Sequence, residues 1–256
     1  MKKLLTIVCI FICALMLFAC AEKSEPVVEQ PQENNPSDAS LSEPKHATID
    51  VYVTFSNAGE LILKQEKIIV TDQNDDNKFT AQETFESLHA VKNKEFSVSD
   101  GFITKIWSIE TSSCGYYIND VSAWSLDDEV KAGDYFTAFI YKDTTYWSDS
   151  YSYFTTRTAT VVKNEEIILK VRNSGYVPVL DENGNAVKDD NGYDKYVLSV
   201  VPTAGAAITI DGEKGSLVTD ADGTVKLTFN AAGTYVVSAV SDTVILVPAV
   251  CVVTVK

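Results

Sequence analysis

Histidine and cysteine are scarce in this 256-residue sequence, which restricts the chemistry that it can perform. The chain has two histidines, His46 and His89, and it contains no HExxH motif, no GxSxG motif and no phosphate-cradling glycine loop. Of the five cysteines, Cys114 and Cys251 alone follow Cys20, and they are too far apart in sequence to form a CxxC-type metal or redox pair. We therefore expect a protein that is not an enzyme. Whether Cys114 and Cys251 form a disulfide or are two buried thiols stays open.

Positive charge is also scarce. The sequence has 21 basic and 36 acidic residues, a formal net charge of −15. This excess of negative charge repels phosphate, so nucleic acid is excluded as a partner. The same charge attracts cations. The simpler interpretation of the acidity is solubility.

The N-terminus has one long apolar segment. Residues 4–19 are apolar or small, follow Lys2 and Lys3, and end in the letters LFA before Cys20. This segment is shorter than the roughly 20 residues that span a bilayer, and small Ala19 suits cleavage. The pattern resembles the signal peptide and lipobox of bacterial lipoproteins.

This resemblance implies that residues 1–19 are removed and that Cys20 carries a diacylglyceryl group and a further acyl chain such as palmitate, because stable anchoring takes more than one chain. The membrane is then a partner through this lipid. The location is extracytoplasmic, at the outer face of the cytoplasmic membrane or at the outer membrane. Loss of Lys2 and Lys3 leaves 19 basic against 36 acidic residues, a charge of −17.

The rest of the chain divides into a tether and two predicted domains. Residues 20–46 comprise the lipidated cysteine and a segment rich in Glu, Pro, Ser, Asn and Gln, which we expect to be disordered. Residues 47–171 form the first domain, and residues 172–256 form the second. The boundary is placed after an apolar strand at residues 167–171, because residues 172–194 are polar and carry two Asn-Gly hairpin signals.

The first domain is predicted to be α+β, and the second a β-sandwich, so the chain is mainly β. One helix is expected over residues 79–91, with a capping box formed by Thr80 and Glu83. Its apolar face is predicted from the 3.6-residue period: Phe79, Ala81, Phe85, Leu88 and Val91. The second domain has no helical pattern. Hairpin turns are predicted at Asp211-Gly212 and Asp222-Gly223, and this short turn spacing, with alternation in residues 224–229, is typical of a sandwich.

Two resemblances accompany this division. Residues 219–229 and 232–237 read TDADGTVKLTF and AGTYVV, which is similar to the strand-turn-strand centre of bacterial immunoglobulin-like surface domains. Residues 102–107, 115–120 and 130–135 read FITKIW, GYYIND and VKAGDY, which resembles the β-grasp-like domain related to the C-terminal domain of transcobalamin. Transcobalamin also uses a helical domain that this chain lacks, so cobalamin binding is not implied.

Residues 72–83, DQNDDNKFTAQE, match the calcium-loop pattern D-x-[DN]-x-[DN]-G-x5-E except at its glycine. Asparagine occupies that position, and it tolerates the left-handed backbone that the turn needs. The predicted Ca²⁺ ligands are Asp72, Asn74, Asp76, the backbone carbonyl of Lys78, Thr80 and Glu83. The alternative is a solvated turn followed by a capped helix, and both interpretations remain open.

Aromatic residues are dense between positions 107 and 154. In the strand at 135–141, alternation puts Tyr135, Phe139 and Tyr141 on one face and Phe136 and Ile140 on the other. One face is expected to be core, and the other either a binding face or the rim of a large aromatic core. The ligand-binding candidates are Tyr116, Tyr117, Trp124, Tyr146 and Trp147.

Three functional hypotheses follow. The first is a lipid-anchored surface module for adhesion, which recognises a glycan or a surface protein. The second is an accessory lipoprotein that binds a small ligand in the β-grasp-like domain, and the third is a structural envelope protein. A flat exposed aromatic face favours the first hypothesis, a concave pocket of a few hundred Å³ favours the second, and burial of all the rings favours the third.

Overall fold

The structure is a computed structural model, and it describes residues 46–256. The predicted signal peptide at 1–19, the lipidation site Cys20 and the tether up to residue 45 lie outside the described residues. Among residues 46–256, no helix has the length and apolar character that crossing a membrane requires.

The described part of the chain is mainly β with one helix, which confirms the predicted fold class. The helix is α1 (Ala81–Lys92). The strands are β1 (Thr48–Asn57), β2 (Glu60–Thr71), β3 (Ser97–Ser99), β4 (Phe102–Ile106), β5 (Ile109–Glu110), β6 (Cys114–Ile118), β7 (Val121–Ser122), β8 (Tyr135–Ile140), β9 (Ser150–Phe154), β10 (Thr158–Val161), β11 (Glu166–Pro178), β12 (Tyr196–Pro202), β13 (Ala207–Ile210), β14 (Glu213–Val218), β15 (Thr224–Thr228), β16 (Gly233–Val240), β17 (Leu246–Val247) and β18 (Val250–Val255).

The N-terminal part is a five-stranded sheet with α1 packed on one face. Its strand order is β2-β1-β8-β6-β7, with β1 and β8 parallel and the other neighbours antiparallel. A central parallel pair with one helix on one face is an α+β arrangement, and we call it the β-grasp part after the resemblance stated for the sequence. The core between sheet and helix is closed by rings, with Phe55, Phe85 and Phe136 fully buried.

The helix begins later than predicted. Thr80 is the N-cap, and its hydroxyl accepts from the backbone N–H of Glu83 while the Glu83 carboxylate accepts from the Thr80 N–H, so the capping box is confirmed. Ala81, Phe85 and Leu88 are buried as predicted, but Val91 is 64% exposed, so its place on the apolar face is wrong. His89 takes that place, because position i+4 from Phe85 faces the sheet more directly than position i+6.

The C-terminal part is a sandwich of two sheets. One has the order β10-β18-β16-β13-β14, and the other has β12-β11-β9-β17, with β15 pairing with β11. Their inner faces share a core that includes Leu169, Ile208, Leu227, Val237 and Val253. The alternation of residues 224–229 is confirmed, because Val225 and Leu227 are buried while Lys226 and Thr228 are exposed.

The predicted boundary at Val171 falls inside strand β11, which continues to Pro178. The N-terminal half of β11 pairs with β15 and its C-terminal half pairs with β9 and β12. Phe154, Leu169 and Val171 belong to the core of the sandwich. By core membership, the sandwich therefore begins with β9.

A small third cluster joins the two cores. Phe139 of β8, Tyr151 of β9 and Val247 of β17 are buried together, with Tyr117, Tyr141 and Tyr153 partly buried against them. The alternation predicted for β8 is confirmed, since Phe136 and Ile140 enter the core under α1 while Phe139 points to the other side. That second face is not open at Phe139, because β9 and β17 cover it.

The turns contain left-handed residues at the predicted hairpins. Asp211 and Gly212 have φ values of 53° and 94° between β13 and β14. Gly223 has φ of +69°, and a Cβ there would lie 2.4 Å from the carbonyl oxygen of Val171. Glycine is thus required at position 223 for both backbone conformation and space.

Cys114 and Cys251 do not form a disulfide; both are free thiols.

Candidate functional site

A concave site lies where the β-grasp part meets the sandwich. It has a volume of about 470 Å³ and is formed by β6, β7, the segment 147–151 and the middle of β11. We call it the aromatic cleft, because seven of its lining residues carry aromatic rings: Tyr116, Tyr117, Trp124, Tyr141, Trp147, Tyr151 and Tyr176. A volume of this size is typical of sites for small molecules.

Two tryptophans and one tyrosine form the rim of the cleft. Trp124 follows β7 and is 78% exposed, and its ring lies edge-on to Tyr176 of β11, with centroids 6.0 Å apart and an interplanar angle of 60°. Trp147 is also largely exposed, and its indole N–H donates to Ser113 Oγ at 3.3 Å. Large exposed rings that border a concavity are suited to stacking on a ligand.

Stacked and hydrogen-bonded side chains form the base of the cleft. Tyr117 of β6 stacks on Tyr151 of β9, with centroids 3.6 Å apart and an interplanar angle of 3°. The Tyr151 hydroxyl donates to Asp120 Oδ1 at 2.8 Å, and Arg157 also donates to this oxygen. The Arg157 guanidinium lies 4.8 Å from the ring centroid of Tyr135. Stacking, hydrogen bonds and a cation–π contact thus connect the two parts beneath the cleft.

One polar group in the wall of the cleft is buried without a hydrogen-bond partner. Ser174 is 4% exposed, lines the cleft, and its hydroxyl has no hydrogen-bond partner. The side chain of Asp149, the one charged lining residue, is already occupied, because its two oxygens accept from the backbone N–H groups of Lys142 and Asp143 at 2.8 and 2.9 Å. A buried hydroxyl without a partner costs free energy.

The hydroxyls of Tyr116 and Tyr141 and the thiol of Cys114 stay neutral at physiological pH. Burial raises the pKa of Tyr141 to about 12. Burial, with the nearby negative charge of Asp128, also raises the pKa of Tyr116 to about 12. Burial raises the pKa of the Cys114 thiol to about 11. These side chains therefore present hydroxyl and thiol groups instead of anions, and no basic residue lines the cleft.

The structure brings together four of the five ligand-binding candidates. Tyr116, Tyr117, Trp124 and Trp147 line the cleft, whereas Tyr146 is 82% exposed and lies outside its lining. Sequence reasoning did not select Tyr176, because the predicted boundary at Val171 assigned it to a turn-rich insert. The alternation of Ser174 and Tyr176 was the signal that would have found it, since both face the same side of β11.

The predicted calcium loop adopts the expected turn. Asn77 has φ of 62°, and its backbone N–H donates to Asp72 Oδ2 at 2.9 Å. Asn74 Oδ1 accepts from the N–H of Asp76 at 3.1 Å, and Asp76 Oδ1 accepts from the N–H of Lys78 at 2.8 Å. Asp72 thus accepts a hydrogen bond from across the turn, whereas Asn74 and Asp76 each accept from the backbone two residues on.

Glu83 at the end of the loop is engaged by protein donors. Its Oε1 accepts from the backbone N–H of Gln73 at 2.8 Å, and its Oε2 accepts from the backbone N–H and hydroxyl of Thr80. Among the described residues, no three Asp, Glu, His or Cys side chains are grouped as a metal site requires. A cation here would depend on amide and carbonyl oxygens as well as carboxylates.

Comparison with known proteins does not identify a family for this chain. No protein-family model matches the chain, and no curated protein is similar to it, so the two resemblances seen in the sequence stay predictions. Among solved structures, the chain is similar to the N-terminal four Ig domains of Dscam1 isoform 4.44, with 8% identity and a TM-score of 0.24. The match covers 82% of this chain and 46% of that one, so the chain spans about half of its length. At this TM-score the similarity does not define a shared fold.

Proposed function

We propose that the protein is a lipid-anchored, extracytoplasmic binding module without catalysis, which holds a neutral sugar in the aromatic cleft. The observation that carries the proposal is the cleft itself, where Trp124, Trp147 and Tyr176 border a concavity of about 470 Å³. A concave site favours a ligand of limited size over a flat adhesive contact. A purely structural role would not require Trp124 to be 78% exposed.

The chemistry of the lining selects the ligand class. Aromatic faces stack on the apolar C–H faces of a sugar ring, and the neutral hydroxyls of lining tyrosines such as Tyr116 and Tyr141 can bond its hydroxyl groups. Phosphorylated or carboxylated ligands are disfavoured because the cleft has no basic residue and its one carboxylate, Asp149, carries negative charge. A neutral saccharide, either free or at the end of a glycan chain, fits both requirements.

A saccharide array tests this function. The full-length protein is applied to an array of mono- and oligosaccharides, and we expect binding to a defined subset. Trp124→Ala is expected to weaken that binding at least tenfold, because it removes an aromatic wall of the cleft. Tyr146→Ala is the matched control, since Tyr146 is a similarly exposed ring outside the lining, and we expect no more than a twofold change. Equal losses in the two variants, or an empty array, would refute the proposal.

The anchor is tested separately at Cys20. The motif at residues 17–20 supports lipidation, and Cys20→Ser is expected to abolish labelling with radioactive palmitate and to move the protein from the membrane fraction to the soluble fraction. Continued labelling of the variant would show that this cysteine is not the lipidation site.

A further inference from the structure

We infer that residues 72–83, between β2 and α1, bind a calcium ion independently of the aromatic cleft. The juxtaposition behind this inference is a buried carboxylate with an unused oxygen inside a turn that is otherwise lined by oxygen donors. The inference does not depend on what the cleft binds.

The buried carboxylate belongs to Asp72, which is 1% exposed. Its Oδ2 accepts from the backbone N–H of Asn77 across the turn, so the carboxylate group lies within the loop. Its Oδ1 is buried and has no hydrogen-bond partner, and no basic side chain is paired with it in the described residues. A buried oxygen without a partner destabilises the fold, and a cation bound to Oδ1 would be the partner that it lacks.

The other donors of the loop follow the spacing that a hard cation requires. Asn74 and Asp76 occupy positions three and five, each with a side-chain oxygen on the backbone N–H two residues on, and the carbonyl of Lys78 and the hydroxyl of Thr80 come next at positions seven and nine. Asp75, at position four, is on the outside, where its Oδ1 contacts His46 Nδ1 at 2.9 Å. Asp75 therefore differs from Asp72, whose carboxylate is buried and lies across the turn.

Glu83 has two roles under this inference. Without calcium, its carboxylate satisfies the N–H groups of Gln73 and Thr80, which places it 5% exposed beside the start of the loop that holds Asp72. With calcium, the same carboxylate supplies the last ligand position. Because the ion competes with these hydrogen bonds, affinity should be in the weak range of extracellular calcium modules, about 0.1 to 1 mM.

Calcium is favoured over magnesium. The set of donors mixes carboxylate, amide, hydroxyl and carbonyl oxygens on a loop whose form is set by local hydrogen bonds. Calcium accepts six to eight such oxygens in irregular geometry, whereas magnesium demands a near-ideal octahedron and gives up its waters reluctantly.

The test is calorimetric titration of the full-length protein with CaCl₂, together with thermal melting in calcium and in chelator. We expect a dissociation constant of about 0.1 to 1 mM. At calcium about twentyfold above that constant, Tm should rise by about 4 to 7 °C, from mass action and the Tm sensitivity of a chain of this size. MgCl₂ is expected to give at least a tenfold weaker response.

Three variants separate the ion from the capping role. Asp72→Asn keeps an acceptor for the Asn77 N–H and removes the charge, and we expect at least a tenfold loss of calcium affinity. Glu83→Gln keeps one oxygen for the capping box but turns an amide NH₂ toward an N–H that Glu83 now satisfies, so its Tm in chelator should fall as well, and the calcium affinity of the folded variant should fall at least tenfold. Asp75→Asn removes the same charge outside the loop and should change affinity no more than twofold.

Two results would overturn the inference. One is the absence of both heat and a Tm shift at 10 mM calcium. The other is an equal loss of affinity in Asp72→Asn and Asp75→Asn, which would indicate diffuse attraction of cations to an acidic surface. Loss of saccharide binding on the array would leave these outcomes unaffected, because the loop and the cleft share no lining residue.

Discussion

Replacing Asp120 by asparagine should weaken the junction beneath the aromatic cleft. Asp120 lies in the turn between β6 and β7, and its Oδ1 accepts from both Tyr151 and Arg157 of the sandwich. Asparagine keeps the shape of the side chain and tolerates the left-handed backbone at this position, where φ is 68°. The substitution therefore changes the charge with little effect on the turn.

The expected cost is about 2 kcal/mol. Breaking a fully buried ion pair costs about 3–5 kcal/mol, because one charge is left without a partner. Here the side chains of Arg157 and Asp120 are 16% and 23% exposed, so water compensates in part. The asparagine oxygen also retains neutral hydrogen bonds, whereas charge-assisted bonds contribute about 1.5–3 kcal/mol. For a chain of this length, 2 kcal/mol corresponds to a fall in Tm of about 4–8 °C.

The assay is urea and thermal unfolding at pH 7, with Asp50→Asn as the matched control. Asp50 is paired with Lys67 at 3.0 Å, but both side chains are about half exposed, and such pairs contribute little. We expect the control to lose less than about 0.5 kcal/mol. If Asp120→Asn is destabilised no more than Asp50→Asn, the ion pair does not hold the two parts together.

Three further predictions concern single groups. Burial lowers the pKa of His89. Its Nδ1 contacts the Phe85 carbonyl, and its Nε2 accepts from the backbone N–H of Trp107. The unfolded chain then binds the proton more readily, so stability present above pH 6.5 should fall as pH drops below that value, and His89→Gln should flatten this dependence in urea titrations. Gly223→Ala should cost about 3 kcal/mol or more in urea unfolding, whereas Gly212→Ala, with open space around the added Cβ, should cost about 1 kcal/mol. Burial raises the pKa of Cys114 to about 11 and that of Cys251 to about 12, so at pH 8 a thiol reagent should label both at least tenfold more slowly in the native protein than in urea.

Local rules predicted the elements well because their signals are local. The capping box at Thr80 and Glu83, the turn at Asp211 and Gly212 and the alternation of β8 all depend on residues within a few positions of one another. Val91 was misassigned because a helical period places an apolar residue only approximately. The neighbouring elements decide which side of α1 is covered.

The cleft was only partly predictable, because its walls are distant in sequence. Aromatic density predicts the tryptophan pair at 124 and 147, but Tyr176 lies in β11, beyond the boundary predicted from composition. The register of β9 against β11, with Tyr151 opposite Ser174, brings these segments together. That register cannot be predicted from a single sequence. The same limit applies to Ser174, whose lack of a partner is a property of its surroundings.

The most direct test of the binding proposal uses the three tryptophans as internal probes. Trp124 and Trp147 line the aromatic cleft, whereas Trp107 stacks on Phe55 against the β-grasp core at a centroid distance of 4.9 Å. In an NMR titration of the ¹⁵N-labelled protein with a saccharide selected on the array, the indole N–H signals of Trp124 and Trp147 should shift and saturate together while that of Trp107 stays in place. A titration that moves none of the three, or moves Trp107 as much as the other two, would contradict the assignment of the cleft as the binding site.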